Sequence, residues 1–556
     1  MASQLKSFNF SSFQGGYDSF SGSRSNVKDN EIPALPGITK NVILDDNGSP
    51  QKRSGFSNWS GRMRTGDQVT GIETFKTTSF TTVIAASGSS WWNCSPGVAT
   101  PLTGKTFNAN QQTLFTEATG LLFGANGTDN LCYTSDGTTV NEITVNGIVG
   151  TSPVYYGNRI YMLSSAFRDR VYFSNPYQFT LGNVAGLQGG GQSIGGVVTG
   201  FDTANLFVTD LTANPKKNAG FLSFYPGSGV VLTRIYKDGD FLYVYSVAHG
   251  IWKMSLQATI NSDGTVTHTV AQIVTGIGCS AAKSIATVSQ NDQYFYGNDN
   301  LYSRGEVQYY ASPRVTTQSG RVQSEMRGVT QTAKPNVATV FYLNKVYVAY
   351  QAGGTANDSI IVKDTVLNAW STPFTGIPVS SFLDYTDATG YRHLLAGSSD
   401  SNRPYLFELN VGLDDGGVPI SAGFETKSSD CKSPGLIKYG AFADVFFQQL
   451  AGTLDCQIIG DETNVLATYS QQQQLVASGS LGVGSQLVGT FLVGAEFTPG
   501  SIIAAASYEG QFRIAIGYKK YRRISVRFSN NRMAEQFKIN NIVVWYKEGS
   551  INTPLK

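Results

Sequence analysis

A hairpin that keeps returning constrains this chain more than any other feature of it. Between residues 153 and 410, an apolar-aromatic run, a brief polar turn and a second run ending near an acidic residue or Asn recur. Residues 160–163 lead into 170–173, 241–245 into 251–254, 346–350 into 359–362 and 393–396 into 405–409, with an earlier copy at 122–123 and 131–133. From Leu121 through Ile160, Phe241, Tyr294 and Val346 to His393, the steps are 39, 81, 53, 52 and 47 residues. One small twisted sheet cannot bury both faces until neighbours stack on it, so a repeat of about 40–50 residues predicts a β-propeller of about six or seven blades. The doubled step predicts a blade with an insertion near 174–230. There Gly189-Gly190-Gly191 and Gly195-Gly196 break the rhythm, while 197–202 and 206–210 still read as strands.

Composition agrees with an all-β chain. Gly (61), Tyr (28) and Phe (32) are abundant, only 14% of residues are charged, and no long stretch has helical periodicity. Aromatic side chains suit a pleated surface and glycine suits tight turns. A net charge of +2, from 41 basic and 39 acidic residues, supplies no global field toward nucleic acid or an anionic membrane. Five scattered cysteines without a C-x-x-C pair predict buried thiols and no thiolate metal site. Residues 1–20 lack an apolar core of signal-peptide length and no 18-residue apolar run occurs. Synthesis in a cytoplasm without export, and no membrane insertion, are the expectations.

Three regions follow. Residues 1–60 set Phe8, Phe10, Phe13 and Phe20 among Ser, Gly and Asn before Pro33, Pro36 and Pro50, a composition that predicts an extended arm ordering on contact with a partner. Residues 61–416 form the propeller. In 417–556 six segments (442–447, 454–459, 501–507, 512–516, 523–528 and 542–546) alternate more cleanly and predict a β-sandwich, with a Gln/Ser/Gly-rich loop projecting near 471–489. Of Trp91 and Trp92, one should be core and one half-exposed; Trp252 and Trp370 read as aromatics that close one blade on the next.

Catalytic chemistry is poorly represented. His249, His268 and His393 are far apart and have no metal-ligand spacing. Gly191-Gln192-Ser193-Ile194-Gly195 has the G-x-S-x-G form, but a nucleophile elbow needs a strand before the serine and a helix after it. Asp45-Asp46, Asp238 with Asp240, and Asp414-Asp415 sit beside glycine as turn caps, and none has calcium-loop spacing. No enzyme activity, cofactor or metal is expected. The densest basic run, Lys519, Lys520, Arg522 and Arg523, alternates onward through Ser525 and Arg527, which predicts a solvated strand face making subunit or phosphate contact.

In the first sixty residues, Phe13-Gln14-Gly15-Gly16, Lys28-Asp29-Asn30-Glu31, Asn41-Val42 and Lys52-Arg53-Ser54-Gly55-Phe56 follow in order. This resembles the N-terminal signature of the tail hub or nozzle proteins (tail tubular protein B-like) of short-tailed bacteriophages, with Ser54 where a Pro is usual. The resemblance implies a structural virion protein made in the host cytoplasm and carried in the tail. It implies a closed, six-fold ring below the head-to-tail adaptor that continues the DNA-ejection channel and anchors a plug or needle and fibres. Phe8, Phe10, Phe13, Arg53 and Phe56 would then dock to the adaptor or a neighbour, and double-stranded DNA would pass transiently. The alternatives are a monomeric propeller binding a glycan or small ligand, and a tail protein that binds the host surface; fold alone does not decide between them.

Overall fold

The computed structural model describes residues 4–549, apart from 23, 145–146, 176–177, 181–192, 195–196, 201–205, 208–218, 261–265, 290–291, 308–311 and 474–509. The described residues are almost entirely strand and turn, with one short α-helix, Gln323–Gly328. They divide into two compact units: residues 56–365 with 375–410, and residues 1–55 with 366–374 and 411–556.

The first unit is the propeller. Seven antiparallel sheets follow one another, opening with the strands Val69–Lys76, Leu114–Ala118, Gly150–Tyr156, Leu232–Asp238, Ala286–Ser289, Ala338–Tyr342 and Val379–Thr386. The opening strand of the seventh lies against that of the first, so the ring closes on itself. Apolar clusters fill the gaps between blades. Ile72, Val83 and Ala85 of blade one pack with Leu395 and Leu406 of blade seven, and Tyr243, Tyr245 and Ile251 of blade four pack with Phe295 of blade five. Closure is made by a strand from the other end of the unit: Phe56–Asn58 pairs antiparallel with Leu406–Leu409 as the outer strand of blade seven.

The doubled repeat step has a local cause. Blade three is complete in Gly150–Tyr156, Arg159–Ser164, Arg170–Phe173 and Gly220–Ser223, and its third and fourth strands are separated by the insertion. Within the insertion, Gln178–Thr180, Ser193–Ile194 and Val197–Gly200 form a separate three-stranded sheet. Leu206 and Phe207 are buried with Ala118, Phe123 and Ile160 between blades two and three. Most of residues 201–210 lie outside the described residues.

The second unit, here called the platform, corrects the reading of residues 1–60 as a separate extended arm. Lys6–Phe10 pairs along its length with Gln536–Glu548, and Val42–Leu44 and Pro50–Lys52 form a hairpin on the same sheet. Phe10, Phe13, Ile32, Val42 and Leu44 are buried in one core with Phe424, Phe528, Phe537 and Ile542. Alternation explains the sheet: in Gln536–Glu548, Phe537, Ile539, Ile542, Val544 and Tyr546 turn inward.

Segments 442–447 and 454–459, read as two strands, are one. Lys438–Gly460 pairs in its first half with Gly510–Tyr521 and Gln536–Glu548, and in its second with Asn464–Gln473 and Ile524–Asn530. A single strand therefore serves both halves of the platform, with register shifts near Phe447. Gly452, at φ 88°, sits where a Cβ would strike the Glu535 carboxyl. The loop expected near 471–489 begins in strand Asn464–Gln473 and otherwise lies outside the described residues, as does segment 501–507.

Candidate functional site

The residues expected to dock to a partner are spent inside the chain. Phe10 and Phe13 are 3% and 1% exposed, and Phe8 packs edge-on against Phe10 at 5.0 Å. Phe56 belongs to the propeller, 1% exposed and 4.7 Å from the Phe407 ring. The composition of the arm misleads because its partners, the C-terminal strands, are some five hundred residues away.

Arg53 is the centre of a polar lock in the platform. Its guanidinium forks onto Asp415, with Nη1 at 2.7 Å and Nη2 at 2.6 Å, and Nε donates to Asn41 Oδ1 at 2.9 Å. Asn41 takes a left-handed φ of 57°, which asparagine tolerates, and its Nδ2 donates to the Ser421 carbonyl. Val42 and Thr372 bond each other in both directions. Upstream, the Gly15 amide donates to the Asn30 carbonyl, the Lys28 amide donates to Glu31, and a Cβ on Gly16 would come 2.6 Å from the carbonyl of the buried Trp370. The first motif thus bonds the second, the third bonds the fourth through Arg53, and Gly16 and Val42 both meet the segment 370–372. Asp415, read as a turn cap, was missed because its partner is 362 residues distant.

The basic run ends strand Gly510–Tyr521 with Lys519 and Lys520, and Arg522 and Arg523 connect it to Ile524–Asn530. Amides of Arg522 and Arg523 both donate to Asp461 Oδ1, at 2.8 and 3.0 Å, and the Arg523 guanidinium lies 3.7 Å from Glu462. Lys519 bonds the Leu466 carbonyl, and the Lys520 ammonium stands 5.9 Å over the Tyr439 ring. Its continuation is not a solvated face. Ser525 is fully buried and donates to Glu425, and Arg527 pairs with Glu425 at 2.9 Å, with Arg24 3.5 Å from the same carboxylate. Glu425, at 0% exposure, draws these groups inward.

Trp91 is buried and stacks on Phe107 at 5.1 Å, while Trp92 is half-buried. Trp252 is buried between blades three and four. All five cysteines are buried and unpaired as thiols. Ser193 opens a two-residue strand paired with Val197–Gly200, so another strand, not a helix, follows it.

The histidines have structural surroundings. His268 meets the Tyr161 hydroxyl at 3.0 Å, and burial, with Arg159 nearby, lowers it to about 4. His393 lies between Glu408, 2.6 Å from Nδ1, and Asp387, 3.4 Å from Nε2. Burial of the ring works against its charge, but the two carboxylates outweigh it and raise its pKa. A base whose folded pKa is raised stabilises fully below its unfolded value, about 6.5, and loses that contribution as pH rises through the folded value. His393→Gln is therefore expected to lower the melting midpoint more at about pH 5.5 than at about pH 8.5; equal losses would mean the ring is uncharged throughout.

One cavity, of about 70 Å³, gathers residues of blades one, two, five, six and seven. Gln68, Thr70, Gln112, Lys283, Asn357 and Ser399 are among its lining residues. The Lys283 ammonium donates to the Thr70 carbonyl at 3.2 Å, and burial holds its pKa down at about 7. Nothing in the sequence marks this site, because each blade contributes only one or two polar residues to it.

No family model and no curated protein matches the chain. Solved propellers do superpose on part of it. YCF48 from Cyanidioschyzon merolae is 9% identical with a TM-score of 0.36, over 63% of this chain and 97% of that one. BamB from Moraxella catarrhalis is 10% identical with a TM-score of 0.32, over 63% and 97%. Sqt1 from Saccharomyces cerevisiae is 10% identical with a TM-score of 0.35, over 67% and 100%. The assignment of a propeller rests on the sheets themselves.

Proposed function

We propose that the chain is a structural subunit of a short-tailed phage tail, one copy of a closed ring that extends the DNA-ejection channel as a nozzle below the head-to-tail adaptor. The observation carrying this reading is the interlock of Gly15-Gly16 with Asn30 and Glu31, and of Asn41 with Arg53. The residues of the nozzle-like signature up to Arg53 are bonded in pairs within the platform, while Phe56 begins the strand that closes the propeller, so their order along the chain has a physical reason. Six copies, a plug or needle, fibres and the adaptor are the partners the reading implies.

The charge suits a conduit. Each phosphate neutralised by Lys or Arg adds counterion-release affinity and would retard a sliding duplex; with net charge +2 and only 14% charged residues, the chain offers little such hold. Lys520, at the end of its strand, and Arg522 and Arg523, on the connection after it, are assigned to contact between copies.

Negative-stain electron microscopy of the purified chain, alone and with purified adaptor rings, tests the reading. Closed rings with an open centre wide enough for a duplex, roughly 20–40 Å against a major groove of about 12 Å, are expected. Single compact particles under both conditions would overturn it. Arg522→Glu with Arg523→Glu is expected to abolish rings while shifting the melting midpoint little, as exposed ion pairs contribute about 0–1 kcal/mol.

A further inference from the structure

The cavity among five propeller blades combines a cation with polar atoms that have no partner among the described residues. Its lining includes no carboxylate among the described residues, so Lys283 has nothing of opposite charge beside it. Other propeller cations have a carboxylate beside them: the half-buried Lys345 pairs with Asp364 at 2.9 Å, and the buried Arg304 reaches Asp238 at 3.4 Å with Tyr243 beneath it. Gln112 Nε2 is buried with no acceptor. Asn357 is 3% exposed; its Nδ2 donates to the carbonyls of Asn336 at 2.7 Å and Val379 at 3.0 Å, which fixes the amide's orientation and leaves Oδ1 buried with no donor. Unpaired buried charge and unmade buried hydrogen bonds are both costly, and here the residues that carry them line one space.

We propose that this cavity binds a carboxylate, taken by Lys283 Nζ and Gln112 Nε2, with Asn357 Oδ1 accepting a hydrogen bond from an N–H or O–H beside the carboxylate. The space fits such a group. At roughly 10–15 Å³ for each water, 70 Å³ holds about five, enough for a carboxymethyl group and its adjoining heteroatom. A single cation matches a monoanion better than a phosphate dianion, which would need further charge and donors. Both a small 2-hydroxy acid and the free carboxyl end of a peptide carry this chemistry. The proposal is independent of the tail reading, since a ring subunit and a monomer would hold the same cavity.

The test is calorimetric titration of the full chain with glycolate, N-acetylglycine and a tripeptide bearing a free carboxyl terminus, each against its neutral amide. Saturable binding of the acids at millimolar concentration, with none of the amides, is expected. Lys283→Met should weaken it by roughly thirtyfold or more. Binding of the peptide but not of glycolate assigns a chain terminus as the source, and the reverse assigns a free small acid. Gln112→Glu sets a carboxylate of the chain beside Lys283, and is expected to raise the melting midpoint and abolish acid binding; it decides the matter if Lys283→Met fails to fold. No acid binding to the wild type, or binding unchanged in both variants, would overturn the proposal.

Discussion

Deleting residues 1–55 is expected to unfold the platform and leave the propeller standing. The deletion removes Phe10, Phe13, Ile32, Val42 and Leu44, each at most 4% exposed, from the platform core. At about 1.5–3 kcal/mol for each large apolar side chain, that loss is comparable with the whole stability of an ordinary domain, about 5–15 kcal/mol. It also strips the strand Lys6–Phe10 from its partner Gln536–Glu548. The propeller keeps its closing strand Phe56–Asn58. Scanning calorimetry with limited proteolysis should show one cooperative unit lost and residues 411–549 rapidly digested. A full heat of unfolding with a protease-resistant C-terminal region would mean the platform folds without its N-terminal segment. Extending the deletion to residue 58 is expected to lower the propeller's own midpoint as well, because Phe407 then faces no outer strand.

Arg53→Met is expected to cost about 3–5 kcal/mol, the range for breaking a buried pair from one side. Asp415 would stay behind with its side chain 13% exposed and no fork opposite it, and Asn41 would lose the donor to its Oδ1. Arg53→Lys should recover little, since an ammonium cannot make the two parallel bonds to Asp415. The double variant Arg53→Met with Asp415→Leu supplies the control: it should be less destabilised than Arg53→Met alone. Urea midpoints of the three variants measure this directly. A single variant within about 0.5 kcal/mol of wild type would show that the lock is incidental to stability.

The propeller was legible in the sequence because its signal is local. A hairpin such as 241–245 with 251–254 pairs within a dozen residues, and its apolar-aromatic run recurs along the chain, so spacing alone predicts stacked blades. The platform was not, because its pairings are between chain ends. Phe8 and Phe10 carry the alternation of a strand, but the partner that makes them one is centred on Val544. Ser525 and Arg527 read as solvent-facing for the same reason: Glu425, which buries them, lies about a hundred residues away. Asp415 and Arg53 each look ordinary in their own neighbourhoods, and only the fold makes them a pair. The cavity around Lys283 is the extreme case, assembled from one or two polar residues of each of five blades.

Closure by distant partners also sets a schedule. Ser60 and Leu406, whose bonds help join blade seven to its outer strand, are 346 residues apart, and Lys6 and Glu548 in the platform are 542 apart. At about 5–20 residues per second on the ribosome, the first of these waits is roughly 17–70 seconds. Blades two to six can stack as they emerge, while the N-terminal segment stays unpaired with its aromatics in need of protection from other chains. Translation that stops before Leu406–Leu409 leaves both units open, and translation that stops between there and Gln536–Glu548 leaves the platform open. Completion of the platform is therefore a report that Gln536–Glu548 has been made, and a surface built from the platform is withheld from every product truncated before that strand.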